Sequence, residues 1–132
     1  MGVVWDRRYR DQTMRQPFAH DAVLSMEPGG DLRAPGAAIT VALCGHWEHE
    51  PPCPLAPHHT AAQRAGDDVH VRTLFAVEPA RKEEVRDRIR AALGGGRLMG
   101  DDGRESRWNL RSGGPASVRP EEADHARRLA AD

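Results

Sequence analysis

The stretch DVHVRTLFAVEPARKEEVRDRIRAALGGG, residues 68–96, gives the clearest indication of the fold. Over residues 68–77, apolar and β-branched side chains recur at every second position, which predicts a strand. Pro79 suits the first turn of a helix, and residues 80–93 carry apolar side chains at helical spacing among charged ones. Three consecutive glycines at 94–96 then predict the end of that helix.

The rest of the chain predicts a small α+β domain. Between the second and third predicted strands, residues 47–66 contain four prolines, which exclude a central strand and leave room only for a short helical turn at 60–64. The other predicted elements are strands at 20–26 and 38–46, a short edge strand around Trp108 and Leu110, and a last helix at 120–131. We therefore predict an antiparallel sheet of three to four strands with one or two helices packed on one face.

Length and composition limit the class of protein. The 132 residues suit an N-terminal arm at 1–18 followed by a single domain at 19–132. The formal net charge of -1 argues against a general nucleic-acid or membrane-surface binder. The start of the chain lacks the apolar stretch of a secretory signal, so we expect a cytoplasmic protein with neither of those partners. Arginine supplies all but one of the 19 basic side chains, a bias typical of GC-rich bacteria.

The core predicted for this chain is small. Aromatic residues make up only 5% of the sequence, and a domain of this length with few large side chains is marginally stable. Association with a second copy would add buried surface and stabilise the folded state. We therefore expect a homodimer.

One segment concentrates residues that bind metals. CGHWEHEPPCPLAPHH, residues 44–59, contains both cysteines and four of the seven histidines. Thiolate sulfur and imidazole nitrogen are preferred ligands of zinc, and they also suit copper or iron. The prolines restrict the segment and favour a preformed site. The leading predicted ligands are Cys44, His46, His49 and Cys53, with His58, His59 and His70 as alternates.

Zinc binding at this segment is the predicted function. If one coordination position stays open, the metal would activate water for attack on a small-molecule substrate, with Glu48 or Glu50 as the general base. The prediction is then a metal-dependent, hydrolase-like enzyme. The spacing of the ligands matches no zinc finger and lacks the His-Glu-x-x-His pattern of metalloproteases, so the motif names no reaction.

The segment is also compatible with a solvated loop whose cysteines are buried as small apolar residues. Three further alternatives give the same residues a specific role. The first is a binding or assembly module in which the metal is structural or absent. The second is a metal-free enzyme with Cys44 or Cys53 as a nucleophile that a neighbouring histidine activates. The third is a disulfide between the two cysteines, whose spacing would close a short loop.

Two histidines outside the segment have simpler expected roles. His20 and Asp21 are expected as a surface pair in the first strand, and His125 is expected as an exposed residue of the last helix.

Overall fold

The structure is a computed structural model, and it describes residues 14–44, 56–100 and 102–131. In these residues the chain forms five strands and three helices. The strands are β1 (Gln16–Met26), β2 (His58–Ala65), β3 (Asp68–Val77), β4 (Arg97–Met99) and β5 (Glu105–Ala116). The helices are α1 (Ala34–Cys44), α2 (Lys82–Gly95) and α3 (Ala123–Ala131), and the 3-10 turns Pro79–Arg81 and Pro120–Glu122 precede α2 and α3.

The strands form one antiparallel sheet in the order β2-β3-β1-β5-β4. The central strand β1 pairs with β3 on one side and with β5 on the other. From β1 to β5, the order of elements is the β-α-β-β-α-β pattern of ferredoxin-like folds, with β4 inserted before the last strand. The chain reverses between β2 and β3 at Gly66, whose φ of 67° is a conformation that glycine adopts without a steric penalty. The α+β class is therefore confirmed.

The two faces of the sheet are covered differently. Helices α1 and α2 pack on each other and on one face, which we call the inner face; the opposite one is the outer face. Inner positions are even-numbered in β1 and β2 and odd-numbered in β3, because residues directly opposite each other in antiparallel strands point to the same side. The main core lies on this inner face. Its largest members include Leu24, Ile39, Leu43, Phe75, Ile89 and Leu93.

Helix α3 covers one end of the outer face. Leu129 of α3 packs there against Ala19 of β1 and against Leu74 and Ala76 of β3, forming a second, smaller apolar cluster. This third helix therefore lies opposite α1 and α2, whereas the sequence predicted that the helices share one face.

An ion network fixes the start of α3 to the outer face. The Arg72 guanidinium of β3 donates to Asp21 Oδ1 at 2.8 Å and to both carboxylate oxygens of Glu122 at 2.8 and 2.7 Å. Glu122 belongs to the 3-10 turn that precedes α3. The hydrogen bonds from Arg72 lower the pKa of Glu122 to about 2.

The predicted strand at 38–46 is wrong over residues 38–44, which belong to helix α1, and residues 45–46 lie outside the described part of the chain. Alternating Ile39, Val41 and Leu43 indicated a strand, but Val41 is exposed whereas Ile39 and Leu43 are buried. The buried positions 34, 38, 39 and 43 recur at helical spacing, and Pro35 suits a first helical turn. Small apolar side chains fit both the two-residue period of a strand and the period of a helix. Packing of these side chains against the sheet and α2 stabilises the helix.

The sheet has five strands, more than predicted. Residues 58–65, expected to be irregular with a helical turn at 60–64, form edge strand β2 because they pair with β3 along their whole length. Residues 105–116, expected to contain only a short edge strand, form β5 beside the central strand. Both strands are polar and rich in small residues, and their hydrogen bonds to a neighbouring strand compensate for a weak pattern.

Other predictions agree with the structure. The strand at 68–77 is β3, and the helix predicted at 80–93 is α2 with its preceding 3-10 turn. The predicted last helix corresponds to the turn Pro120–Glu122 and α3. Most of the predicted arm at 1–18 lies outside the described residues, and β1 already begins at Gln16. Among the described residues, no helix has the length and apolar character needed to cross a membrane.

We predict that Glu122→Gln lowers stability at neutral pH by about 1–3 kcal/mol, the value of hydrogen bonds to charged groups. The folded-state pKa of Glu122 lies below the unfolded value, so its contribution is present above about pH 4.5 and is lost as the pH falls towards about 2. Urea unfolding at several pH values measures this. The variant should lose less stability on acidification than the parent, whereas Glu121→Gln, at an exposed neighbour, should behave like the parent. Equal acid sensitivity of parent and Glu122→Gln would contradict the assignment.

Candidate functional site

Four of the seven predicted metal ligands lie in the part of the chain that the structure describes. His46, His49 and Cys53 lie outside the described residues, as do the predicted general bases Glu48 and Glu50. Their roles stay predictions. The four described ligands are Cys44, His58, His59 and His70, and the structure gives each a different environment.

Cys44 ends helix α1 and is buried under the sheet. The structure has it disulfide-bonded, and the chain's second cysteine, Cys53, lies outside the described residues. Zinc takes cysteine as a thiolate, so binding of a metal by Cys44 requires that its disulfide first be reduced.

His58 points to the inner face and already uses both ring nitrogens. Its Nδ1–H donates to the carbonyl oxygen of Ala56 at 3.0 Å, and its Nε2 accepts from the hydroxyl of Thr40 in α1 at 2.9 Å. Burial lowers the pKa of His58, so the ring is neutral and fits this pattern of one donor and one acceptor. A metal at His58 would have to displace one of these bonds, and the residue instead joins edge strand β2 to helix α1.

His59 is the next residue along the strand and therefore points to the outer face. It is exposed, and its ring centre lies 4.7 Å from that of His125 in α3, with the two ring planes inclined at 56°. His125 is half-buried rather than fully exposed as expected. Nothing in the helical pattern of residues 120–131 indicates this contact, because it arises only when α3 packs across the sheet. The two residues form what we call the imidazole pair.

His70 shares the outer face with the imidazole pair but is too far away to join it. His59 lies opposite Leu74 of β3, and His70 is four residues further along that strand. At about 3.3 Å per residue, this backbone separation is about 13 Å along the strand. Among the described residues, no group of three or more possible metal ligands includes His70. Pairing of β2 with β3 thus does not bring His70 to the imidazole pair.

Space for a small molecule adjoins β2. A cavity of about 420 Å³ lies between α1 and β2, and Thr40, His58 and His59 are among its lining residues, together with Arg33. Its volume is within the range of small-molecule sites. Within residues 14–44, 56–100 and 102–131, no group of three or more His, Cys, Asp or Glu side chains could enclose a metal. Among the described residues, the imidazole pair brings two histidine rings into contact, one exposed and one half-buried.

Comparison of the chain with protein-family models and with curated proteins gives no match. The chemistry of the site therefore rests on the geometry of its own residues.

We predict that Thr40→Val destabilises the protein by about 1–2 kcal/mol, because it leaves the partly buried Nε2 of His58 without a donor. Thr40→Ser keeps the hydroxyl and is the matched control, with similar helix propensity. Urea midpoints measure the difference. If the two variants unfold at the same urea concentration, the bond between His58 and Thr40 does not join β2 to α1.

Proposed function

We propose that this protein binds a divalent transition metal, with zinc as the leading candidate, through the imidazole pair His59 and His125. The observation that carries the proposal is the 4.7 Å separation of the two ring centres, one on edge strand β2 and one on helix α3. Imidazole nitrogen binds zinc, copper and nickel well. Two nitrogens on one tetrahedral zinc stand about 3.3 Å apart, so two rings whose centres lie 4.7 Å apart are close enough to share one ion.

The pair alone would leave coordination positions for water or for further ligands. Structural zinc sites use four protein ligands, so a two-histidine site is suited to water or substrate in the remaining positions. The candidates to complete the site are the predicted ligands His46 and His49, which belong to the same sequence segment as His59. Cys53 would join them only after reduction of the disulfide that holds Cys44, since the chain has no third cysteine. The proposal thus retains the metal predicted from residues 44–59 and assigns it two specific ligands.

Hydrolysis is the reaction class that such a site favours. A metal with an open position lowers the pKa of bound water and creates a nucleophile at neutral pH. His59 also lines the 420 Å³ cavity beside β2, which offers room for a small-molecule substrate. Glu48 and Glu50 remain the predicted general bases. The competing hypothesis is a metal with a purely structural role. In that case, the protein would catalyse no reaction that depends on the cavity.

We predict that the parent protein binds zinc and that His59→Ala and His125→Ala each weaken binding about tenfold or more, because each removes one of two fixed nitrogens. His70→Ala is the matched control: it removes an exposed histidine of the same face that lies far from the pair. Isothermal titration with zinc chloride under non-reducing conditions, which keep Cys44 in its disulfide, measures the affinities.

Three results would contradict the proposal. They are an absence of zinc binding by the parent, unchanged affinity in the His59 and His125 variants, and an equal loss in His70→Ala. Circular dichroism of each variant verifies that the fold is retained, since both histidines of the pair have at least partly exposed side chains.

A further inference from the structure

A second cavity, of about 210 Å³, lies between helix α2 and strand β5. Ala22, Leu93 and Leu110 provide apolar parts of its wall, and His20, Arg90 and Ser112 provide polar parts. This combination of an apolar wall with a few polar groups is typical of sites for small organic ligands. The cavity has no lining residue in common with the one beside β2, and neither histidine of the imidazole pair is in its wall.

His20 gives this cavity a buried polar atom without a partner. The residue is 1% exposed, so the expected surface pair with Asp21 is wrong: His20 points inward and Asp21 points outward to Arg72. The Nδ1 of His20 accepts from Arg86 at 3.3 Å. Burial, followed by the nearby charges of Arg86 and Arg90, lowers the pKa of His20 to about 4, so the ring is neutral at pH 7.

The hydrogen of a neutral His20 must therefore be on Nε2, because Nδ1 accepts a hydrogen bond. This Nε2–H is buried and has no acceptor among the described residues. Buried donors without acceptors are rare and costly, and they often mark a place where a water or ligand belongs. A ligand at His20 would therefore need to supply a hydrogen-bond acceptor to Nε2–H.

The charge around His20 favours a negatively charged acceptor. Arg86 is 5% exposed, and it donates to the carbonyl oxygen of Ala19 at 2.7 Å. Its nearest carboxylate, Glu83, is 3.9 Å away and well exposed to solvent, so it neutralises the buried charge only in part. Arg90, one helical turn further along, lines the cavity and pairs with Asp87 through a single nitrogen. An anion in the cavity would be attracted by both guanidinium groups.

An irregularity in β5 forms another wall of the cavity. The pairing of β1 with β5 shifts between Val23 and Leu24, which leaves Arg111 as an extra residue in β5. Arg111, with Ser112 and Gly113 after it, lines the cavity. A side chain at Gly113 would meet the Asp21 carbonyl oxygen at 3.2 Å, so glycine permits the close approach of the two strands. Bulges of this kind are common next to binding and active sites.

We propose that this cavity binds a small carboxylate with an apolar body. The carboxylate would accept from His20 Nε2 and lie near Arg90 of the cavity wall, while Leu93 and Leu110 would contact the apolar part. Arg86 is outside the wall and adds its positive charge from the Nδ1 side of His20. The volume is below the roughly 300–1,000 Å³ of sites for larger ligands, so the ligand is of benzoate size rather than a nucleotide. This site is independent of the metal at the imidazole pair, and either can exist without the other.

The test titrates the full chain with sodium benzoate or with benzyl alcohol, its uncharged analogue. Binding is monitored by ¹H–¹⁵N spectra. We expect benzoate to shift the backbone amide signals of Ala22, Leu93 and Ser112, and benzyl alcohol to bind more weakly. Arg90→Gln should weaken benzoate binding about fivefold, which corresponds to the loss of one partly exposed charge pair. Arg88→Gln, on the same helix but outside the cavity wall, should leave the affinity unchanged.

A second variant tests the cavity without altering its buried groups. Leu110 is 36% exposed, and Leu110→Trp should fill the cavity and abolish the benzoate shifts while the fold is kept. Signals that shift around exposed arginines elsewhere, or an equal effect of Arg88→Gln, would overturn the proposal and show non-specific anion binding only. Benzoate shifts that persist in Leu110→Trp, or no shift up to the solubility limit of benzoate, would also overturn it.

Discussion

The alternation of side chains across the sheet decides which of its histidines, among the described residues, are available for chemistry. The inner face is closed by α1 and α2, and the outer face is only partly covered by α3. His58 and His59 are consecutive, so one is directed inward and the other outward. A slip of β2 by one residue against β3 would exchange their roles, because the two-residue period moves every side chain to the other face. The register that places His59 opposite Leu74 is therefore the constraint on which the proposed metal site depends.

The two histidines that point to the inner face, His20 and His58, are both buried but have different roles. Burial lowers the pKa of both His20 and His58, so each is neutral and has one donor and one acceptor nitrogen. A helix supplies a partner to each: Thr40 of α1 for His58 and Arg86 of α2 for His20. His58 is satisfied on both nitrogens, which makes it part of the packing between strand and helix. Only one ring nitrogen of His20 has a partner, so its Nε2–H in the cavity wall lacks a hydrogen-bond acceptor among the described residues.

The sequence predicted an element correctly where its apolar residues fitted either the strand period or the helix period, but not both. β3 and α2 were predicted closely, because residues 68–77 carry an apolar or β-branched side chain at every second position and residues 82–95 mix charged and apolar side chains at helical spacing. The prediction of a strand at α1 was wrong because its small apolar residues fit both the strand and the helix period. Hydrogen bonds to neighbouring strands, rather than an alternating sequence pattern, stabilise β2 and β5. His125 could not be recognised as a neighbour of His59, because the contact depends on how α3 crosses the sheet. The ligands predicted within 45–55 and the homodimer stay predictions.

We propose that the sheet separates a structural histidine, His58, from a metal-binding one, His59, at adjacent positions. The most direct measurement is a long-range ¹H–¹⁵N spectrum of the histidine side chains, recorded before and after one equivalent of zinc. We expect the signals of the ring nitrogens of His59 and His125 to shift together, while those of His58 and His70 keep their positions and His58 keeps the Nδ1–H form. A zinc-dependent shift of His58, or a response of His59 without His125, would contradict the proposal.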